Sequence, residues 1–139
     1  MRLFVLITVT LAIFVGPMQV SAQQPVSVAV LPPVVVETRP RAGQTDVDPL
    51  LTEISVTFSK NMITEKMWSW VIHTPESFPA IAGEVRYINA RTNVLPVRLQ
   101  PGKTYAIWIN SPNGKHNAFR DTDNIPALPY LLVFRTRGN

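Results

Sequence analysis

The chain has 139 residues, with 13 Lys and Arg against 9 Asp and Glu, 13 Pro, 6 Gly and no Cys, a length that accommodates one domain. Without cysteine there is no disulfide framework, no thiol nucleophile, no Cys-ligated zinc or cluster and no lipid-modified N-terminal Cys. A formal charge of +4, spread thinly along the chain, is not the clustered basic footprint of a nucleic-acid binder.

Arg2 is followed by the apolar run Leu3 to Val15, the breaker Gly16-Pro17 and the small residues Val20-Ser21-Ala22. These are the parts of a secretory signal helix with a cut after Ala22, so residues 1–22 are assigned as a signal peptide. At ~1.5 Å per residue the apolar run reaches only about 20 Å, short of the ~30 Å hydrocarbon core. Cleavage is therefore expected, and an uncleaved anchor stays open if the stretch continues through Gly16 and Pro17 to Val20. Residues 23–139 then form an exported chain that must be stable from its core alone.

Residues 23–33 (QQPVSVAVLPP) read as an extended, proline-punctuated lead-in. Short apolar pieces follow at regular intervals: Val34–Thr38, then the turn-rich Arg39–Pro49, then Thr52–Phe58, where Ile54, Val56 and Phe58 alternate with Glu53, Ser55 and Thr57. Period two of this kind marks a half-buried strand. Trp68–His73, Glu84–Ile88, Val94–Leu99, Thr104–Asn110 and Tyr130–Thr136 complete a set of seven strands. Turn residues separate them at Ala42-Gly43, Ser59-Lys60-Asn61, Asn89-Ala90-Arg91, Pro101-Gly102 and Pro112-Asn113-Gly114. One-turn helical pieces are expected at Thr64–Lys66 and at Thr74-Pro75-Glu76-Ser77, where Thr caps a Pro at the first helical position. Pro96 cannot donate to a ladder, so it belongs at an edge, at a bulge or with its missing N–H directed outward. The pattern predicts an all-β fold, a seven-stranded antiparallel β-sandwich, with a β-barrel as the lesser option.

Val34–Phe58 (VVVETRPRAGQTDVDPLLTEISVTF), running on into Ser59-Lys60-Asn61-Met62, resembles the opening of bacterial Ig-like domains of the SbsA type, found in surface-layer and other exported proteins. Phe134-Arg135-Thr136 resembles their closing strand. Met67–Ile81 is longer and richer in aromatics than the corresponding part of the family. The resemblance implies an SbsA-type Ig-like domain over residues 34–137. Leu99-Gln100-Pro101-Gly102-Lys103-Thr104-Tyr105 has the spacing of a tyrosine corner, in which the phenol of Tyr105 bonds to backbone just upstream while Pro101 and Gly102 shape the turn.

Asp46 and Asp48 offer two carboxylates in one loop, a pattern shared by cation sites and by simple Asx turns, and the turn is the plainer reading. Asp121, Asp123 and Asn124 make the better candidate cation site, with calcium as the candidate ion, although the loop lacks the Gly and the distant Glu of an EF-hand. His73 and His116 belong to no HExxH, and no Ser sits in GxSxG, so Ser69 or Ser77 beside His73 is all that a serine hydrolase could draw on, while a paired-carboxylate glycosidase would need a deeper cleft than a small sandwich usually has. Trp68 and Trp70 share one strand face with Ile72. Trp108 falls on the face of its strand opposite Tyr105, Ile107 and Ile109. Three indoles overfill a small core, so Trp108 is expected partly exposed or beneath Val26–Leu31. The tryptophans are thus both core candidates and a candidate ligand platform.

The expected function is an exported, non-catalytic Ig-like module with a structural or protein-interaction role at the cell envelope. The alternative is a small carbohydrate-binding domain using Trp68, Trp70 and Trp108. No cofactor is expected apart from the candidate calcium. The expected partner is an envelope protein or polysaccharide, with no nucleic acid and, after signal removal, no membrane. The chain runs out at Arg137-Gly138-Asn139, just past the last strand, so the released module is expected in the periplasm, on the cell surface or outside the cell.

Overall fold

Strand formation follows the alternation of apolar residues. A computed structural model describes residues 15–139, so most of the expected signal segment, residues 1–14, lies outside the described residues. Residues 15–22 are exposed and belong to no helix or strand. The strands are β1 (Val35–Arg39), β2 (Glu53–Phe58), β3 (Trp70–Ile72), β4 (Ala80–Ile81), β5 (Arg86–Tyr87), β6 (Thr92–Arg98), β7 (Thr104–Ile109) and β8 (Tyr130–Arg135). Ile54, Val56 and Phe58 of β2 turn inward, as do Tyr105, Ile107 and Ile109 of β7 and Leu132 and Phe134 of β8. With Leu95 and Val97 of β6 they form one apolar core between two sheets.

The first sheet runs β1-β2-β6, with β4 and β5 both on the far edge of β6, and the second runs β3-β7-β8, all pairs antiparallel. This is the division of strands of a constant-type Ig sandwich, with β4 and β5 together in the place of its fourth strand. The expectation of seven strands is corrected to eight among the described residues, because that edge is broken in two. Ala80 faces Arg98 and Ile81 faces Val97, whereas Arg86 faces Val94 and Tyr87 faces Asn93, so Ala82–Val85 stand opposite only Leu95 and Pro96.

Pro96 accounts for the break. The Val97 N–H donates towards β2, to Thr52 O at 2.8 Å, so the neighbouring Pro96 points its backbone the other way, where its carbonyl accepts from Ala82 N–H at 3.0 Å. Its missing donor therefore faces β4 and β5, and the ladder bulges around it. A Cβ on Gly83 would lie 3.2 Å from Pro96 Cβ, a tight contact that the glycine relieves where the bulge passes the proline ring.

After β1 the chain crosses to the second sheet. Gly43 N–H donates to Val133 O at 2.7 Å, Arg135 N–H to Gln44 O at 2.8 Å and Val47 N–H to Arg135 O at 3.1 Å, and Val47 makes a parallel bridge with Thr136. This covers the outer edge of β8, which would otherwise be open to strand addition. The expected turn-rich Arg39–Pro49 thus contains a short pairing segment. Pro75–Ser77 forms the expected 3-10 turn, with a reciprocal cap between Thr74 and Ser77. Thr64–Lys66 does not form a helical turn; it is a bend with Lys66 at φ 53°.

The register fixes two poles. Val35 faces Phe58 and Thr92 faces Thr57, so the lead-in, the β2–β3 connection and the β5–β6 turn gather at one end. The connection from β7 to β8, residues 110–129, closes that same pole, where the Phe119 ring lies 5.0 Å from Phe58 and 5.7 Å, edge-on, from Trp70. Thr104 faces Arg135 at the opposite pole, where the chain leaves β8.

Candidate functional site

The turn before β7 forms as its sequence implies. Gly102 adopts φ 65°, a conformation that costs a residue with a Cβ. Leu99 is buried in the core, Pro101 precedes the turn glycine, and the chain doubles back so that Gln100 N–H donates to Tyr105 Oη at 2.8 Å. That is a tyrosine corner. Tyr105 is 1% exposed, its ring lies 5.4 Å from that of Phe134, and Lys103 Nζ stands over the ring at 5.2 Å from its centroid. Lys103 N–H donates to Thr136 Oγ1 and Gly102 N–H to Arg137 O, both at 2.9 Å, so the corner is tied to the end of β8.

Trp68 and Trp70 come together and Trp108 stands apart. The first two line an open cleft of about 580 Å³ between the free edges of β3 and β4, with Ile72, Ile81, Val85 and His116. Trp70 begins β3, packs against Phe119 and donates Nε1–H to Asn93 Oδ1 at 2.8 Å, which satisfies its only polar atom. Trp68 lies just before the strand, half-buried against the core. Ile72 and Ile81 are 54% and 58% exposed. Trp108, opposite Val71 and Leu131, is half-buried on the outer face of the second sheet and donates Nε1–H to His73 Nδ1 at 3.2 Å. The hydrogen bonds of the lead-in and of its junction with β1 run to Lys60, Leu128 and Ser59, none of them to Trp108. Sequence reasoning placed the three indoles on two strand faces but not the cleft, because Ile81, Val85 and His116 lie far along the chain from Trp68.

The acidic loop is closed on itself. Asp121 is fully buried, and its Oδ1 accepts from Asp123 N–H at 3.0 Å and Ile125 N–H at 2.9 Å, while Oδ2 meets Lys60 Nζ at 2.7 Å. Burial works to raise the pKa of this carboxyl, but Lys60 and the two backbone donors outweigh it and hold the group below the usual carboxylate range. Asp123 and Asn124 are exposed; Asn124, at φ 64°, accepts on its carbonyl from Arg120 at 3.0 Å. The ammonium of Lys60 therefore holds the position beside Asp121 that a cation would take. Among the described residues no group of three or more His, Asp or Glu is placed to hold a metal ion. Asp48 accepts from Leu50 N–H at 2.9 Å, an Asx turn, and pairs with Arg137 at 3.1 Å.

The hydroxyls near His73 are engaged elsewhere. Ser69 Oγ accepts from Ala118 N–H at 2.8 Å, and Ser77 Oγ belongs to the Thr74 cap and donates to Ala106 O at 3.2 Å. The hydrogen bonds of neither reach an imidazole. No helix of the described residues is long and apolar enough to cross a membrane.

Residues 29–136 match the family model described as bacterial Ig-like domain, which takes in the whole sandwich and the last residues of the lead-in. The chain belongs to the bacterial Ig-like domain family. Two solved structures are similar to this Ig-like domain: surface layer protein SbsC, domains 1-6, with a TM-score of 0.48, and the S-layer protein rSbsC(31-844), with 0.47. Each is 19% identical over 78% of this chain, which spans 14% of the length of either. No curated protein matches the chain.

Proposed function

We propose that this Ig-like domain is an exported, non-catalytic module with a structural or protein-interaction role at the cell envelope. The observation that carries the reading is architectural: a sandwich whose chain enters at one pole and leaves at the other, so that it can stand between two attachments as a spacer. Bacterial Ig-like domains serve as scaffolds, and function on such scaffolds lies in surface sites rather than in the fold. Membership of the bacterial Ig-like domain family supports a place at the cell surface or outside the cell. Incubating the purified chain with envelope extract and with peptidase, esterase and glycosidase substrates tests it. Retention of an envelope component without turnover is expected. Turnover that disappears in His73→Ala would overturn the reading.

The Trp68–Trp70 cleft favours a second reading, a carbohydrate-binding domain, because half-buried indoles with exposed Ile72 and Ile81 offer flat apolar surface for a sugar ring. Indole fluorescence that shifts on titration with envelope polysaccharide, in wild type and Trp108→Ala but not in Trp68→Ala, would establish it. No response in wild type would remove it.

A further inference from the structure

Lys60 sits in the turn that leaves β2, and its ammonium is enclosed by three oxygens. Asp121 Oδ2 lies at 2.7 Å, and the backbone carbonyls of Ala29 and Leu31 lie at 3.1 Å each. An ammonium has three N–H donors, so this set uses all of them. The Lys60 side chain is 13% exposed and that of Asp121 not at all, so the pair is shielded from competing water.

The two ends of this contact belong to different parts of the chain. Asp121 is fixed to its own loop by the N–H groups of Asp123 and Ile125, and that loop is pinned to the core by Phe119. Lys60 carries the fixation across to the lead-in. Leu128 N–H donates to Pro33 O, and Val34 N–H to Ser59 Oγ, both at 3.0 Å, so the lead-in is held again where it runs into β1. One carboxylate and two carbonyls converging on a positive charge make the kind of hard-oxygen set that divalent ions take. Here the charge is a side chain of the protein.

We propose that Lys60 is a built-in cation that locks residues 29–33 onto the pole without a metal ion, so that the lead-in enters β1 from one fixed position. The device suits the composition of the lead-in. Val30 and Leu31 are 56% and 47% exposed, and untethered they would be free to pair with open strand edges.

Amide ¹⁵N relaxation on the folded chain tests the lock, in calcium and then in chelator. In wild type, Ala29 and Leu31 are expected as rigid as Val56 of β2 under both conditions. In Lys60→Met they should become as mobile as Val26, with Val56 unchanged. Removing the lysine leaves a buried carboxylate without its partner, and that variant can fail to fold. The double variant Lys60→Met/Asp121→Asn removes that charge and should show the same release. Ala29 and Leu31 already mobile in wild type, still rigid in a folded variant, or rigid only in calcium would each overturn the proposal.

Discussion

Tyr105 holds its own approach loop through one phenol oxygen, and the energy of that contact is open to a one-atom test. Tyr105→Phe keeps the ring against Phe134 and removes only the acceptor of Gln100 N–H, so a loss of about 1 kcal/mol is expected in urea unfolding. Asp121 contributes to the acid limb of stability. Its pKa is lower in the folded chain than the ~3.9 of an unfolded one, so its contribution is complete above about pH 5 and disappears as pH falls through the folded value. Denaturant midpoints measured from pH 6 down to pH 2 should fall for wild type, and fall less steeply for Asp121→Asn. The tyrosine corner was legible because Leu99, Pro101, Gly102 and Tyr105 lie within one heptapeptide and act on each other. The partner of Asp121 was not, because Lys60 stands 61 residues away in an ordinary turn. Asp121, Asp123 and Asn124 read as a cation site for the same reason: a string of oxygen-bearing side chains shows what a loop offers and not what already occupies it.

The long connection between β7 and β8 behaves as a structural element in its own right. Asn110, buried at φ 58°, donates through Nδ2 to Phe119 O and Ala127 O and accepts on Oδ1 from Phe119 N–H, which fastens both arms of the loop at its root. Asn110→Ala is expected to cost at least about 2 kcal/mol, and Asn110→Gly, which tolerates the left-handed backbone, to recover about 1 kcal/mol of it. Equal losses in thermal unfolding of the two variants would show that backbone conformation contributes nothing there. Strands with clean alternation, β2, β7 and β8, were legible because each has one buried face. Of the β4–β5 edge only β5 was legible, inside the expected Glu84–Ile88; Ala80–Ile81 was not, since so short a piece carries no alternation and the break beside it is imposed by Pro96 on the neighbouring strand. The pairing of residues 43–47 with β8 was hidden likewise, because it depends on backbone bonds across the sandwich rather than on side-chain pattern.

At the scale of the whole molecule, an apolar core with no disulfide joins the two sheets, Phe119 plugs one pole and the tyrosine corner closes the other. The family match begins at residue 29, where the carbonyl of Ala29 first meets Lys60, so the lead-in is partly domain and partly connector. Entry at one pole and exit at the other suit the proposed envelope role, and that role depends on the chain being exported. Cell fractionation of a C-terminally tagged chain, followed by intact mass of the recovered protein, addresses this directly. Recovery outside the cytoplasm with a mass that begins at Gln23 is the predicted result. A cytoplasmic chain that keeps residues 1–22 would contradict the account.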